Sequence, residues 1–248
     1  MLSLALWLFF FSTPFSAFAA PLRIAAAADL KFALADIVAA YREARPKEEV
    51  VTTFGSSGKF RTQILAGAPF DLFFSADPEN AEAVSAAGKG EAVFAYARGR
   101  LSLWARKDAS LVLCADLKCL DVPSVLKISI GNAAHAPYGK IAEEALQKAG
   151  LLGSVSGKLV RGDNIAQAAQ FVESGAASVG IIATSLAESP ALRAKGKSAA
   201  VSETLYTPLR QSAVVIKGNG AEAARRFKIF FQSKEAKSIL RRHGLDPL

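Results

Sequence analysis

Two periods of apolar and polar positions alternate along this chain. Residues 22–28 form a short, almost unbroken apolar run, the pattern of a strand buried on both faces. Leu30, Leu34, Ile37, Val38 and Tyr41 then recur at helical spacing, with Pro46 just past the end. Residues 50–54 are apolar and β-branched again. Residues 22–54 therefore predict a β-α-β unit, with parallel strands and a right-handed crossover. The alternation continues with a helix over 59–66 closed by Gly67, a strand over 71–76 and a helix to Gly88. Asp77 is the expected N-cap of that helix and Pro78 its first residue. A longer extended segment covers 92–106. A second set follows: strand 127–130, helix 137–149, strand 159–160, helix 165–174 and strand 178–183. The C-terminal part predicts a strand over 212–217 and helices from about 221 to 243, stopping near Gly244.

The fold class is α/β, with two groups of mainly parallel strands flanked by helices. No low-complexity linker or tandem repeat separates them. The chain is therefore expected to cross between two lobes on extended segments, near 96–101 and 203–207. Residues 20–98 and 206–248 would form lobe one and 99–205 lobe two, the C-terminal helices returning to lobe one. Ligands of such sheets bind outside the carboxyl ends of the strands, where a cleft between lobes can close on them.

Length and composition agree with this picture. The chain has 248 residues, 51% of them hydrophobic, enough for one large core or two smaller ones. Its formal charge is +8, but no Lys/Arg block stands out, so an ordinary basic surface is favoured over nucleic-acid binding. Residues 2–11 are apolar and lead to "SAFAAPL", where Ala17-Phe18-Ala19 has the small-x-small form of a signal-peptidase site. A leader of residues 1–19 is expected, with Ala20 the first mature residue. No Lys or Arg precedes the apolar run, which is short for a membrane span. An exported, soluble protein follows. Cys114 and Cys119 are the only cysteines, and an oxidising compartment makes a local disulfide reasonable. The two histidines, His135 and His243, have no ligand spacing to them, so neither a metal site nor a cofactor is expected.

The candidate chemistry lies in "FGSSGKF", residues 54–60. Two glycines and two serines join a strand to a helix. The spacing is not that of a nucleotide phosphate loop, and neither serine sits in G-x-S-x-G. A helix N-terminus offers unpaired N–H donors and a positive dipole end, so an anion site is favoured over a plain flexible turn, with the Ser57 hydroxyl as a further donor. Three other strand-to-helix turns match it: Ala28-Asp29, Ala136-Pro137-Tyr138-Gly139 and Asp163-Asn164-Ile165. Tyr138 is read equally as a ligand group or as helix packing. His135 is read as a loop histidine rather than an acid/base, and Lys59 and Arg161 as rim charges. Asp77 is read as a cap and Asp71 as a structural acceptor.

The stretches "AAAADLKFALADI", "FGSSGKFRTQILAGAPFDLFFSAD", "IGNAAHAPYGKIAEEALQKAG", "VRGDNIAQAAQFVESGAASVGI" and "RRHGLDPL" resemble, in this order, the periplasmic molybdate-binding proteins of ABC importers. The second stretch is the most specific. The resemblance covers the whole mature region. It implies a two-lobed, flytrap-like fold, a periplasmic monomer working with a membrane permease, and no enzymatic activity. The implied ligand is molybdate, with tungstate, held as an oxyanion by hydrogen bonds. The ligand positions carry over to Ala28, Asp29, Ser57, Tyr138 and Ile165. Two positions depart from the family: Asp29 where many members have serine, and Ala183 where some have tyrosine. Tyr138 is expected to make up for the hydroxyl missing at Ala183. A carboxylate facing a dianion in a dry cleft is costly. Asp29 is therefore expected to cap its own helix, or alternatively to accept a proton from the ligand. The second case would favour hydrogen phosphate or a phosphonate. A secreted enzyme on the same fold is the remaining alternative, but the chain lacks a nucleophile–base pair.

Overall fold

The computed structural model describes residues 20–248, so the expected leader lies outside the described residues. The chain opens with β1 (Leu22–Ala27), a single 3-10 turn (Ala28–Leu30) and α1 (Lys31–Ala44). It continues through β2 (Val50–Gly55), α2 (Ser57–Leu65), β3 (Leu72–Ser75), α3 (Pro78–Ala86) and β4 (Phe94–Gly99). Next come β5 (Leu101–Arg106), β6 (Ile128–Gly131), α4 (Pro137–Lys148), α5 (Leu152–Val155), β7 (Leu159–Gly162) and α6 (Ile165–Glu173). Then follow β8 (Val179–Ala183), α7 (Thr184–Ala187), α8 (Pro190–Lys195) and β9 (Gly196–Ala200). The chain ends with β10 (Leu209–Val215), α9 (Ala221–Phe231), α10 (Lys234–Arg242) and β11 (Asp246–Pro247).

The strands form two sheets, ordered β11-β4-β10-β3-β1-β2 and β7-β6-β8-β5-β9. Both are mixed rather than mainly parallel. Helical crossovers make β1 parallel to β2 and β3, and β6 parallel to β7 and β8. The strands that pass between the sheets run against them. β10 is antiparallel to β3 and β4, and β5 is antiparallel to β8 and β9. The predicted extended segment 92–106 is two strands, with Arg100 alone between them.

Strand register fixes where the turns lie. Leu209 at the start of β10 pairs with Gly99 at the end of β4, and Leu101 at the start of β5 pairs with Ala183 at the end of β8. The chain thus leaves and enters each sheet at the end where its parallel strands finish. The carboxyl ends of β1, β2 and β3 consequently face those of β6, β7 and β8, the arrangement that places ligands at strand ends.

Adjacent residues of a strand point to opposite faces, which explains the apolar runs. Phe74 packs with Tyr41, Tyr96, Phe227 and Phe231 under α1, α9 and α10, while neighbouring Phe73 packs with Phe60, Ile64 and Val84 under α2 and α3. The Phe74 and Phe231 rings are 4.4 Å apart. The core of the second sheet holds Trp104, Ile128 and Ile130 with Leu146 of α4 packed among them, and its cluster also takes in Ala27, Ala28 and Ala76 from the first. Small residues at the facing strand ends let the two sheets touch. Asp77 caps α3 by accepting from the Asn80 N–H at 3.1 Å. Asp71 accepts from the Arg23 N–H at 2.7 Å. Cys114 and Cys119 are disulfide-bonded, with Cα atoms 5.9 Å apart.

Candidate functional site

The register of the parallel strands sets the four turns around one point. Ala27 pairs with Gly55, so the turns after β1 and β2 lie side by side; Gly131 pairs with Gly162, so those after β6 and β7 do too. Between the pairs is a narrow pocket, a cavity of about 10 Å³. Ala28, Asp29, Ser57, Tyr138 and Ile165 all line it, together with Ala27, Gly55, Ser56, Ala76, Ala136 and Pro137. A cavity of that size has room for about one water molecule, far below the roughly 300 Å³ and upward of sites for drug-sized molecules, so the strand ends are closed tightly on each other. Wider hollows, such as that between α1 and α10 beside Asp36 and Arg242, are open surface grooves away from the strand ends.

Helix capping decides which donors remain for a ligand. In α2, Ser56 is the N-cap, and its hydroxyl accepts from the Lys59 N–H at 3.4 Å. The Gly58 N–H crosses the cleft to the His135 carbonyl at 2.9 Å. A Cβ on Gly58 would lie 2.8 Å from that oxygen, so glycine is what permits the approach. Ser57, at the first helical position, keeps its own N–H unpaired. Its Oγ already accepts from the Ala76 N–H at 3.0 Å, which leaves the hydroxyl hydrogen to donate elsewhere. Asn164 caps α6 by accepting from Ala166 and Gln167, both at 3.0 Å, so the Ile165 N–H is free of the cap. In α4 Pro137 has no N–H, and Tyr138 supplies the first one. The Ser57, Tyr138 and Ile165 N–H groups have no acceptor among the described residues.

Asp29 does not cap its helix. It lies inside the 3-10 turn, and neither that turn nor α1 has a side-chain cap. Its Oδ2 instead accepts from the Tyr138 hydroxyl at 3.2 Å and from Gln211 Nε2 at 2.5 Å. Gln211 Nε2 is also 3.0 Å from the Tyr138 oxygen. The turn after β1 points its carboxyl into the cleft, where Tyr138 from the opposite sheet and Gln211 from its own sheet compete successfully with its own helix. Ser185 donates to the Asp29 carbonyl at 2.9 Å. Asp29 is 1% exposed, and its Oδ1 has no partner. Burial raises its pKa to about 7, against the opposing pull of the Gln211 and Tyr138 hydrogen bonds. Burial and the Asp29 charge push the Tyr138 phenol well above its ordinary value.

The Tyr138 hydroxyl is committed to this cluster and so is not a spare donor for the missing family tyrosine. Ala183, where that tyrosine would stand, is buried at the end of β8 and does not line the pocket. At the cleft mouth, Lys59 pairs with Asp163 across the lobes. His135 Nδ1 lies 3.0 Å from Ser56 Oγ and its Nε2 3.7 Å from Asp163. Arg161 pairs with Glu143 at 2.8 Å on the exposed rim. Among the described residues, no cluster of His, Cys, Asp or Glu could hold a metal ion.

Sequence reasoning missed Gln211. A polar residue directly before the apolar run 212–217 was the available signal; in the structure Gln211 lies within β10, fully buried, beside a register shift against β4. Gly99 was missed as well. A Cβ there would sit 2.2 Å from the Tyr138 hydroxyl and 2.9 Å from Gln211 Nε2, so the cluster requires glycine beside it.

Comparison with known proteins agrees with this geometry. Residues 22–246 match the family of bacterial extracellular solute-binding proteins. The molybdate-binding protein ModA of Azotobacter vinelandii is 35% identical over 236 residues, covering 91% of this chain and 90% of the relative. That of Rhodobacter capsulatus is 38% identical over 206 residues, covering 79% and 76%. The solved structure of the periplasmic molybdate-binding protein of Azotobacter vinelandii superimposes with a TM-score of 0.84 at 29% identity, covering 90% of this chain and 98% of that one. With two sheets meeting at their strand ends and a match over nearly its whole described length, the chain belongs to the bacterial extracellular solute-binding protein family.

Proposed function

We propose that this protein is the periplasmic binding component of an ABC importer, capturing molybdate, and tungstate with it, between its lobes. The observation that carries this reading is the convergence of unpaired donors from both sheets on one small pocket: the Ser57 hydroxyl and N–H from one side, the Tyr138 and Ile165 N–H groups from the other. Aligned N–H groups at helix starts favour negative charge. A tetrahedral oxyanion is compact and accepts from several directions at once. The relatives named for molybdate support the choice of anion.

The rest of the reading follows from this role. The protein binds and releases its ligand without turnover, as a monomer, and passes it to a membrane permease. Residues 1–19 are a cleaved leader that sends it to the periplasm. Residues 20–98 with 206–248 form one lobe and 99–205 the other. Calorimetric titration at pH 7.5 with molybdate, tungstate, sulfate and hydrogen phosphate tests the function. One molybdate per chain, with tungstate close behind and phosphate far weaker, is expected. Phosphate binding without molybdate binding overturns the choice of ligand.

A further inference from the structure

We infer that Asp29 holds the bound oxyanion as a neutral carboxylic acid, its Oδ1–H donating to a ligand oxygen, so that capturing a dianion takes up one proton. This inference rests on the molybdate reading above and specifies how that site accepts the charge.

The geometry supplies the reason. Asp29 lines the pocket and is buried, yet its two oxygens differ. Oδ2 accepts two hydrogen bonds, from Tyr138 on α4 and Gln211 on β10. Oδ1 accepts none. Tyr138 on α4 and Tyr96 on β4 are the titratable groups that interact with this carboxyl, and Ser185 on α7 holds its main chain. No Lys or Arg contributes to its electrostatics. An ionised Asp29, itself buried, would thus meet a dianion in a small pocket with no cation to offset the pair, the situation that forces a proton onto one carboxylate of a like-charge pair. Burial has already brought this carboxyl to about 7, and an entering anion moves it higher.

The proton has one consistent place. On Oδ2 it would confront two donors. On Oδ1 it leaves Oδ2 as the acceptor of both, and gives a buried O–H that no protein group receives. A bound oxyanion provides that acceptor. The balance is simple: one solvent proton goes onto Asp29 for each dianion bound, and no bond within the ligand changes. Asp29 is then a specificity-determining residue that favours a fully deprotonated oxyanion. The opposite arrangement, with ionised Asp29 accepting a proton carried by the ligand, favours hydrogen phosphate.

Calorimetry of the mature protein with sodium molybdate, in buffers of different ionisation enthalpy at pH 6 and pH 8, decides between them. The wild type is expected to take up close to one proton per molybdate at pH 8 and much less at pH 6, where Asp29 is already protonated. Its affinity should fall about tenfold per pH unit above 7, as the binding-competent fraction falls. Asp29→Asn, which keeps the shape and offers a permanent donor, should show no uptake and a flat pH profile. It should bind molybdate about tenfold more tightly than wild type at pH 8, the gap closing at pH 6. Molybdate binding by the wild type without proton uptake at pH 8 overturns the inference alone, whatever the variant does. Preference for hydrogen phosphate, abolished in Asp29→Asn, also overturns it. Absence of molybdate binding in the wild type overturns the ligand reading and this inference together.

Discussion

Two of the contacts between the lobes differ in kind. Deep in the cleft, Asp29 of the first sheet meets Tyr138 of the second, with Gln211 closing the triangle; all three are buried. At the mouth, Lys59 meets Asp163 with both side chains about half exposed, 47% and 51%. Both contacts join a charged group to a partner across the same cleft. Water decides what each is worth. At the mouth, solvent screens the pair and holding two long side chains still costs entropy, so such pairs contribute about 0–1 kcal/mol. Inside, the carboxyl has lost its hydration, and two hydrogen bonds do not restore it. The outer contact is cheap and weak. The inner one makes the site sensitive to protons.

The largest effect expected from this contrast is on stability. Asp29 has a folded pKa near 7 against an ordinary value of 3.8. Between these values the folded state holds a proton that the unfolded state has released. Unliganded stability should therefore fall as pH rises from about 4 to 7, then level off, by about 4 kcal/mol at 1.36 kcal/mol per pH unit. Asp29→Asn should remove that decline. Urea denaturation of both proteins at pH 4, 6 and 8 checks it; parallel profiles would erase the distinction between inner and outer contacts.

Ser57→Ala comes next. It removes a hydroxyl whose acceptor side is satisfied by Ala76, and should weaken molybdate binding by about 1.5–3 kcal/mol, the usual value for a hydrogen bond to a charged group. Unchanged affinity by calorimetry would take Ser57 out of the site. Gly99→Ala sharpens the contrast differently, since Gly99 does not itself line the pocket but its Cβ would press on Tyr138 and Gln211. Overpacking of this kind costs about 1–3 kcal/mol, and here it should also change the pH profile of stability. The smallest effect belongs to the mouth. Lys59→Ala should alter stability by under about 1 kcal/mol, with less effect in high salt.

Much of the fold was legible because periodicity reports burial. Alternation of strand and helix patterns located β1, β2, β3 and the second set, and the turn at Asp77-Pro78 was read as the cap it is. The mixed sheets were not legible. Strand direction depends on which end of a sheet the chain re-enters, and Leu209 beside Gly99 is a contact across more than a hundred residues of chain. The four turns were found because each carries small, capping or proline residues in one short stretch. Their common pocket required only that parallel strands finish at the same edge. The Asp29 cluster lay beyond local reading. The N-cap preference of aspartate is a local rule, and it lost to two donors, Tyr138 and Gln211, that the tertiary fold brings from other elements.

The claim on which everything else depends is that donors of both lobes converge on one oxyanion. A crystal structure of the mature protein with molybdate, with anomalous data at the molybdenum edge, tests it most directly. A single anomalous peak is predicted between the start of α2 and the starts of α4 and α6. Its oxygens should lie within hydrogen-bond distance of the Ser57 hydroxyl, the Tyr138 and Ile165 N–H groups and Asp29 Oδ1. A peak elsewhere, or contacts from one lobe alone, would contradict the account.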